Sequence, residues 1–349
     1  MAFSPVRFGL LGYGFGGRYF HAPLIAAAAN CEFVGVVTRA PLRQAQLAQE
    51  HPGVPAYKSL ELLAEAGVEA VAISTPADTH MSLTQQALRL GLAVVCDKPF
   101  ALDSATARQT AELATSLGLP VSPYQNRRWD ADFRTVTRLL AEGALGDVSR
   151  MDSAFERFSP SPGPPRAGGG TLLDFGSHVF DQALLLFGPV TSVYAEMHNR
   201  VDTGLDDDFF ATLLHASGVR SHLSGSWIQG APADRFRVTG TTGSYVAAGP
   251  MDSQESALLD ARTPATEGDR WGVEPADRWG TLRRGDRSES VESERGRWDL
   301  FYPAFADAVR GVGPVPVDPW DAVASLEVME AARLSAATSA VVSVTPFTR

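Results

Sequence analysis

Gly12-Tyr13-Gly14-Phe15-Gly16-Gly17 follows directly on the apolar run Val6-Arg7-Phe8-Gly9-Leu10-Leu11 and opens a stretch of helical spacing. The glycines at 12, 14 and 17 make G-x-G-x-x-G, a pattern that carries weight only between a strand and a helix, where it lies here. Each glycine has its own reason. Gly12 permits the tight turn, Gly14 lets the backbone approach a pyrophosphate, and Gly17 lets helix and strand pack closely. The helix start then offers free N–H groups and a partial positive charge to the phosphates. Gly12, Tyr13, Gly14, Phe15 and Gly16 are the expected contacts. A turn of this kind commits the N-terminal part to a doubly wound parallel sheet that binds a dinucleotide.

The rest of the chain fits that commitment and then departs from it. Strand-like runs at Phe33–Thr38, Ala56-Tyr57, Ala70–Ser74, Val94–Cys96 and Pro120–Pro123 alternate with helical stretches, which predicts a parallel sheet with helices on both faces. After residue 123 a helix (Phe133–Gly143), a strand (Asp147–Glu156), a breaker-rich loop (Ser159–Gly170) and an apolar helix (Thr171–Phe187) precede five consecutive strand patterns from Ser192 to Ala247. Met251–Arg297 reads as polar loops with one irregular helix. At 349 residues two domains are the default. The expected fold is α/β: an N-terminal Rossmann domain over 1–123, then an α+β domain over 124–349 with a large, mostly antiparallel open sheet. The C-terminal helix over 321–339 is free to pack back on the first domain.

The second strand ends Val36-Val37-Thr38-Arg39, where a site built for NAD has an Asp or Glu for the ribose 2′-OH. A carboxylate would repel a 2′-phosphate; Thr38 and Arg39 can bind one, Arg39 through a forked, charge-assisted hydrogen bond. NADP rather than NAD is therefore expected, with Arg43 one turn later as a possible helper. The formal net charge of -10 argues against nucleic acid or anionic membrane as partner. The two cysteines, Cys31 and Cys96, sit in apolar strand contexts without CxxC spacing, so neither metal nor redox work is expected of them. A strand begins within the first residues and no apolar run has the length of a membrane span, so a cytoplasmic protein is expected.

Three further segments carry chemistry. Lys98, in Asp97-Lys98-Pro99, lies at the carboxyl end of the fifth strand, where ligands of open α/β sheets bind. Asp174, His178 and Asp181 share one face of an otherwise apolar helix. A carboxylate beside an imidazole suits an acid/base residue, a hydrogen-bonded core histidine fits the same spacing, and no second His or Cys cluster supports a metal. Ser74-Thr75-Pro76 ends the fourth strand on the adenosine side, and His80 opens the next helix as a cofactor contact or a cap.

Asp97-Lys98-Pro99, Gly169-Gly170-Thr171-Leu172-Leu173-Asp174-Phe175-Gly176-Ser177-His178-Val179-Phe180-Asp181, Phe20-His21-Ala22-Pro23 and Gln125-Asn126-Arg127-Arg128-Trp129-Asp130 together resemble the glucose–fructose oxidoreductase/inositol dehydrogenase (Gfo/Idh/MocA) family over nearly the whole chain, most closely its NADP-dependent scyllo-inositol dehydrogenase-like members. The resemblance implies hydride transfer between nicotinamide and a secondary alcohol or ketone of a polyol, inositol, sugar or related cyclic substrate. Lys98, Asp174 and His178 would be catalytic, with either Lys98 or His178 as the main proton carrier. Asp97, Lys98, Ser74, Thr75, Pro76 and His80 would face the cofactor, and Arg127, Trp129, Arg157 and Arg166 the substrate. Pro165 stands where the closest subgroup has Trp, which alters the expected pocket wall. The resemblance also implies a homodimer or homotetramer formed through the open sheet, whose face would be too apolar to leave in water. Two other readings fit the same residues: a nucleotide-sugar or secondary-metabolite ketoreductase, for which Arg127, Arg128, Arg157 and Arg166 would supply charge, and a non-catalytic NADP-binding regulatory protein.

Overall fold

The structure, a computed structural model, describes residues 3–159, 168–200, 204–249 and 253–345. The chain divides into two compact units, one of Met1–Asn126, Gln254–Trp271 and Arg297–Val323, the other of Arg127–Ser253, Gly272–Gly296 and Ala324–Arg349.

The first unit is built on a six-stranded parallel sheet: β1 (Val6–Leu11), β2 (Cys31–Val37), β3 (Ala56–Tyr57), β4 (Ala70–Ile73), β5 (Ala93–Cys96) and β6 (Val121–Pro123), in the order β3-β2-β1-β4-β5-β6. The central strands are apolar without alternation because both faces are covered; all four residues of β4 and of β5 are buried. The crossing helices are α1 (Ala22–Ala27), α2 (Pro41–Glu50), α3 (Leu60–Glu65), α4 (His80–Arg89) and α5 (Ser104–Leu117). Local chemistry sets their ends. Ser59 caps α3 by accepting from the Leu62 N–H, Asp103 caps α5 by accepting from the Thr106 N–H, and Gly118 ends α5 in the left-handed conformation. The order reverses between β1 and β4, the switch point at which ligands of such sheets bind.

Two later segments, counted with the second domain on sequence grounds, cluster with this sheet. They contain α9 (Ser253–Leu259), of which all but the first residue belongs to this unit, α10 (Pro264–Glu267) and α11 (Phe301–Val309). Aromatic packing holds the second of them: Tyr302 and Phe305 lie on Phe8 of β1, Phe301 on Tyr124, and Trp298 on Phe20, while the Trp298 N–H donates to Gln254 Oε1 of the first at 2.8 Å.

The second unit holds a nine-stranded sheet of β7 (Val148–Glu156), β8 (Val190–His198), β9 (Asp208–His215), β10 (Arg220–Ser226), β11 (Phe236–Gly240), β12 (Ser244–Ala247), β13 (Gly280–Arg284), β14 (Arg287–Val291) and β15 (Val342–Ser343). Its order is β14-β13-β12-β11-β7-β10-β9-β8-β15, antiparallel throughout except where β7 runs parallel to β10. Helix α6 (Ala131–Ala141), the short α7 (Thr171–Asp174) and α8 (Gly176–Phe187) also belong here, as does most of α12 (Pro319–Thr338). The hairpin β13–β14 falls where loops were expected. Its strands alternate little and expose Arg283, Arg284, Arg287, Ser288, Glu289 and Ser290, so no period-2 signal marks them.

One sheet face is apolar, with Met151, Phe155, Val193, Phe209, Leu213, Leu223 and Phe236 buried. The other face does not match the apolar surface expected. Phe210, Leu214 and Val246 are interspersed there with polar pairs: Asp152 accepts from His222 Nδ1 (3.0 Å) and Arg237 Nε (2.8 Å), and Glu156 accepts from the Ser224 hydroxyl (2.7 Å). No helix among the described residues is long and apolar enough to cross a membrane.

Candidate active site

At the switch point the three glycines have different surroundings. Gly12 has φ +92°, its N–H donates to the Val37 carbonyl at 3.0 Å, and a Cβ there would lie 2.3 Å from the Ser74 carbonyl oxygen. A Cβ on Gly17 would lie 2.1 Å from the Gly12 carbonyl oxygen. Gly14 alone of the three faces open space, with nothing within 4 Å of an added Cβ. That is the cradle a dinucleotide's pyrophosphate needs. Tyr13 turns inward: it is buried and its hydroxyl donates to Glu50 Oε2 at 2.8 Å, so only its backbone is left to face a ligand. Burial, with Glu50 beside it, raises the Tyr13 pKa. Phe15 is exposed beside Tyr19 and Phe20.

A cavity of about 520 Å³ opens at the ends of β1, β2 and β4. Gly12, Thr38, Arg39 and Thr75, the residues expected at the cofactor, line it together with Lys58, Glu61 and Gln86, which the sequence did not single out. Lys58 follows β3, a strand of two residues, so little in the sequence pointed to it. Arg39 Nε donates to the Lys58 carbonyl at 2.9 Å, which ties the two cationic residues together. Glu61 is bonded to Gln86 Nε2. Arg43 bonds Gln46 on its own helix and does not line the cavity.

The ends of β4 and β5 form a second, buried cluster. Asp97 Oδ2 accepts from the Ser74 hydroxyl at 2.7 Å and meets His21 Nε2 at 3.2 Å; Asp97 Oδ1 accepts from the Lys98 N–H at 2.7 Å. Burial opposes the charge on Asp97, but His21, His80 and Lys98 outweigh it and hold the carboxyl well below its usual range. The side chains of Ser74 and Asp97 therefore engage each other. His21 was not foreseen. It sits at the end of a π-turn over Gly17–His21, and its Nδ1 lies 2.5 Å from the Tyr302 hydroxyl. Such turns add a residue to a helix and often mark functional positions. Pro76 accepts from the Thr79 hydroxyl, and Lys98-Pro99 is a cis peptide bond. His80 is buried; its Nδ1 lies 2.8 Å from the Pro99 carbonyl and its Nε2 2.9 Å from that of Thr75.

In the second unit the glycine pair before α7 has a steric cause. Gly170 has φ +92°, and a Cβ there would lie 2.1 Å from Asp206 Oδ1. Asp206 closes the helix start, its Oδ2 accepting from the Leu172 N–H at 2.6 Å. Helical bonding continues from α7 to α8 through the Phe175 carbonyl, which accepts from the N–H groups of His178 and Val179, so Asp174 and His178 share a face. Asp174 is half-buried and His178 buried. Asp181 does not join them as a free carboxylate: Arg128 Nε and Nη2 donate to its two oxygens at 2.8 and 2.6 Å. Arg127 Nη1 likewise donates to Asp130 Oδ2 at 3.3 Å.

Phe155 is the hub of this side. Its ring stacks on Phe175 at 4.1 Å, stands 6.0 Å from His178, and has the Arg127 and Arg157 guanidiniums 5.0 and 5.2 Å from its centroid. Three expected residues, Arg127, Arg157 and His178, are thus brought together around a ring that was not. Trp129, half-buried, ends a 3₁₀ turn over Asn126–Trp129. Arg166 lies outside the described residues. Among the described residues no group of three or more His, Cys, Asp and Glu could hold a metal.

A six-stranded parallel sheet of this order, with an open glycine cradle at its switch point, defines a Rossmann dinucleotide-binding protein. Family comparison agrees: residues 6–125 match the oxidoreductase family with NAD-binding Rossmann fold, and residues 133–246 match the GFO/IDH/MocA C-terminal domain. The chain belongs to the Gfo/Idh/MocA family of oxidoreductases. It is 35% identical to YdgJ of Escherichia coli (strain K12), an uncharacterized oxidoreductase, over 93% of this chain and 94% of that one. It is 29% identical to the scyllo-inositol 2-dehydrogenase (NADP(+)) IolW of Bacillus subtilis (strain 168), over 94% and 92%. The Bacillus subtilis yvaA structure superposes with a TM-score of 0.91 at 29% identity, over 98% of this chain and all of that one.

Proposed function

We propose that this protein is a cytoplasmic, homo-oligomeric oxidoreductase, dimer or tetramer, that uses NADP in preference to NAD. Its substrate is the secondary alcohol or ketone of a polyol, inositol, sugar or related cyclic compound. The observation that carries the reading is the cavity at the end of β2. There Thr38, Arg39 and Lys58 stand where an NAD site presents a carboxylate, and the one carboxylate in the lining, Glu61, is engaged by Gln86. The NADP-linked relative, similar over nearly the whole chain, supports the same cofactor.

Bound NADP supplies the hydride acceptor and donor. The chain's own residues do the rest. Lys98, on a turn anchored at both ends, directs its ammonium at the substrate oxygen and stabilises negative charge there. His178 takes the hydroxyl proton during oxidation and returns it during reduction, and Asp174, one helical turn earlier, tunes and orients the imidazole. Arg127 and Arg157, held beside Phe155, line the substrate side with Trp129. Pairing of Arg127 with Asp130 and of Arg128 with Asp181 neutralises two of the four arginines that a diphosphosugar would need, which favours an uncharged polyol.

Nicotinamide absorbance, followed while a panel of inositols, sugars and cyclic ketones is presented with NADP(H) and separately with NAD(H), tests this. Turnover of a polyol or cyclic ketone with NADP(H) supports the reading. Turnover only of nucleotide sugars, or only with NAD(H), contradicts it.

A further inference from the structure

We propose that His80 is a positioning residue for catalysis, a buried imidazolium that clamps the loops after β4 and β5 and so sets the direction of Lys98. This rests on the role given to Lys98 above. Both ring nitrogens of His80 face backbone carbonyl oxygens, Thr75 at 2.9 Å and Pro99 at 2.8 Å. A carbonyl oxygen only accepts, so each contact is a hydrogen bond only if that nitrogen carries a proton. A neutral ring would point one lone pair at an oxygen. The doubly protonated ring satisfies both, in a place where water cannot substitute, since His80 is 1% exposed.

A buried cation needs compensation, and it opens α4, where it works against the helix dipole. The groups around it are the Thr75 and Pro99 carbonyls, the Cys96 sulfur and the Asp97 carboxylate. Burial by itself favours the neutral ring, but these neighbours prevail and raise the pKa to about 9.

The clamp has a mechanical meaning. Thr75 follows β4 and Pro99 follows β5, adjacent strands of the sheet. The Asp97 carboxylate takes the Lys98 N–H at one end of the turn, and His80 takes the Pro99 carbonyl at the other. Lys98 is thereby fixed on both sides of its α-carbon. Errors of about 1 Å in such placement cost about 10²-fold in rate.

The test has two arms on the full-length protein. In the first, ¹⁵N NMR of the histidine rings, assigned by the signal lost in His80→Gln, is followed from neutral to alkaline pH. Two protonated nitrogens on His80 at neutral pH support the clamp; a neutral tautomer there overturns it without any reference to catalysis. In the second, kcat and the NADPH Kd are measured for His80→Gln, Lys98→Ala and the double variant. The expected result is a kcat loss of about 10²-fold in His80→Gln with NADPH affinity kept, and no further loss when His80→Gln is added to Lys98→Ala. Full additivity of the two losses, or wild-type kcat in His80→Gln, overturns the proposal. Wild-type kcat in Lys98→Ala overturns it as well, and identifies the role of Lys98 as the point of failure.

Discussion

Arg128 holds Asp181 by two parallel hydrogen bonds, Nε to Oδ2 at 2.8 Å and Nη2 to Oδ1 at 2.6 Å, with both side chains at most 10% exposed. The pair makes Asp181 an anchor of α8 rather than a member of an acid/base stripe. Arg128→Ala leaves a buried carboxylate unpaired, so an equilibrium denaturant titration is expected to show a loss of about 3 kcal/mol. Removing both partners should cost less than the sum of the single losses. A loss near zero in Arg128→Ala would place the pair in solvent.

The glycines of the turn separate fold from binding. Gly12→Ala forces a left-handed φ on alanine and a contact of 2.3 Å with the Ser74 carbonyl, so soluble yield and thermal midpoint should fall sharply. Gly14→Ala meets no protein atom within 4 Å. Its thermal midpoint should match wild type while NADPH affinity falls about tenfold or more, because the added methyl fills the space the pyrophosphate must enter. Unchanged affinity would move the cofactor elsewhere.

Cofactor choice is expected to turn on Arg39 and, more weakly, on exposed Lys58. Fluorescence titrations run at one ionic strength should show NADPH binding more tightly than NADH. In Arg39→Ala the NADPH affinity should drop about 10- to 100-fold with little change for NADH, the worth of one charge-assisted hydrogen bond. Equal wild-type affinities would remove the case for NADP.

Stability should carry the signature of His80. Its folded pKa is raised from 6.5 to about 9, so its contribution is complete below 6.5 and is lost as pH rises through 9. Asp97 has the opposite sign: its folded pKa is depressed, so its contribution is present above 3.8 and is lost only as pH falls through the depressed value. Between pH 6.5 and 9 the wild type should lose on the order of 3 kcal/mol through His80, and His80→Gln should flatten that decline. An equal decline in both proteins would assign it to other groups.

Much of the first sheet was legible because its causes are local. The valine-rich strands, the Ser59 and Asp103 caps and the glycine turn each announce themselves within a few residues. What was hidden depends on partners far away in sequence. Asp181 reads in sequence as one of a polar stripe with Asp174 and His178, and its partner Arg128 lies 53 positions away. Tyr13 is expected at the cofactor, and that Glu50 takes its hydroxyl and leaves only its backbone for a ligand is not written near it in the sequence. Nothing near His21 or His80 reveals that one meets Asp97 and the other two carbonyls. The hairpin β13–β14 was invisible for a different reason: an edge pair with exposed charges has no hydrophobic alternation to read.

Lys98 and His178 are the residues proposed to carry the acid/base chemistry, and that assignment decides the rest. It is tested most directly by measuring kcat and the NADPH Kd on the same preparations of wild type, Lys98→Ala and His178→Ala, with a turned-over cyclic substrate. Each substitution should lower kcat by about 10²- to 10⁴-fold while leaving NADPH affinity within a few-fold of wild type. Wild-type kcat in both variants would contradict the assignment.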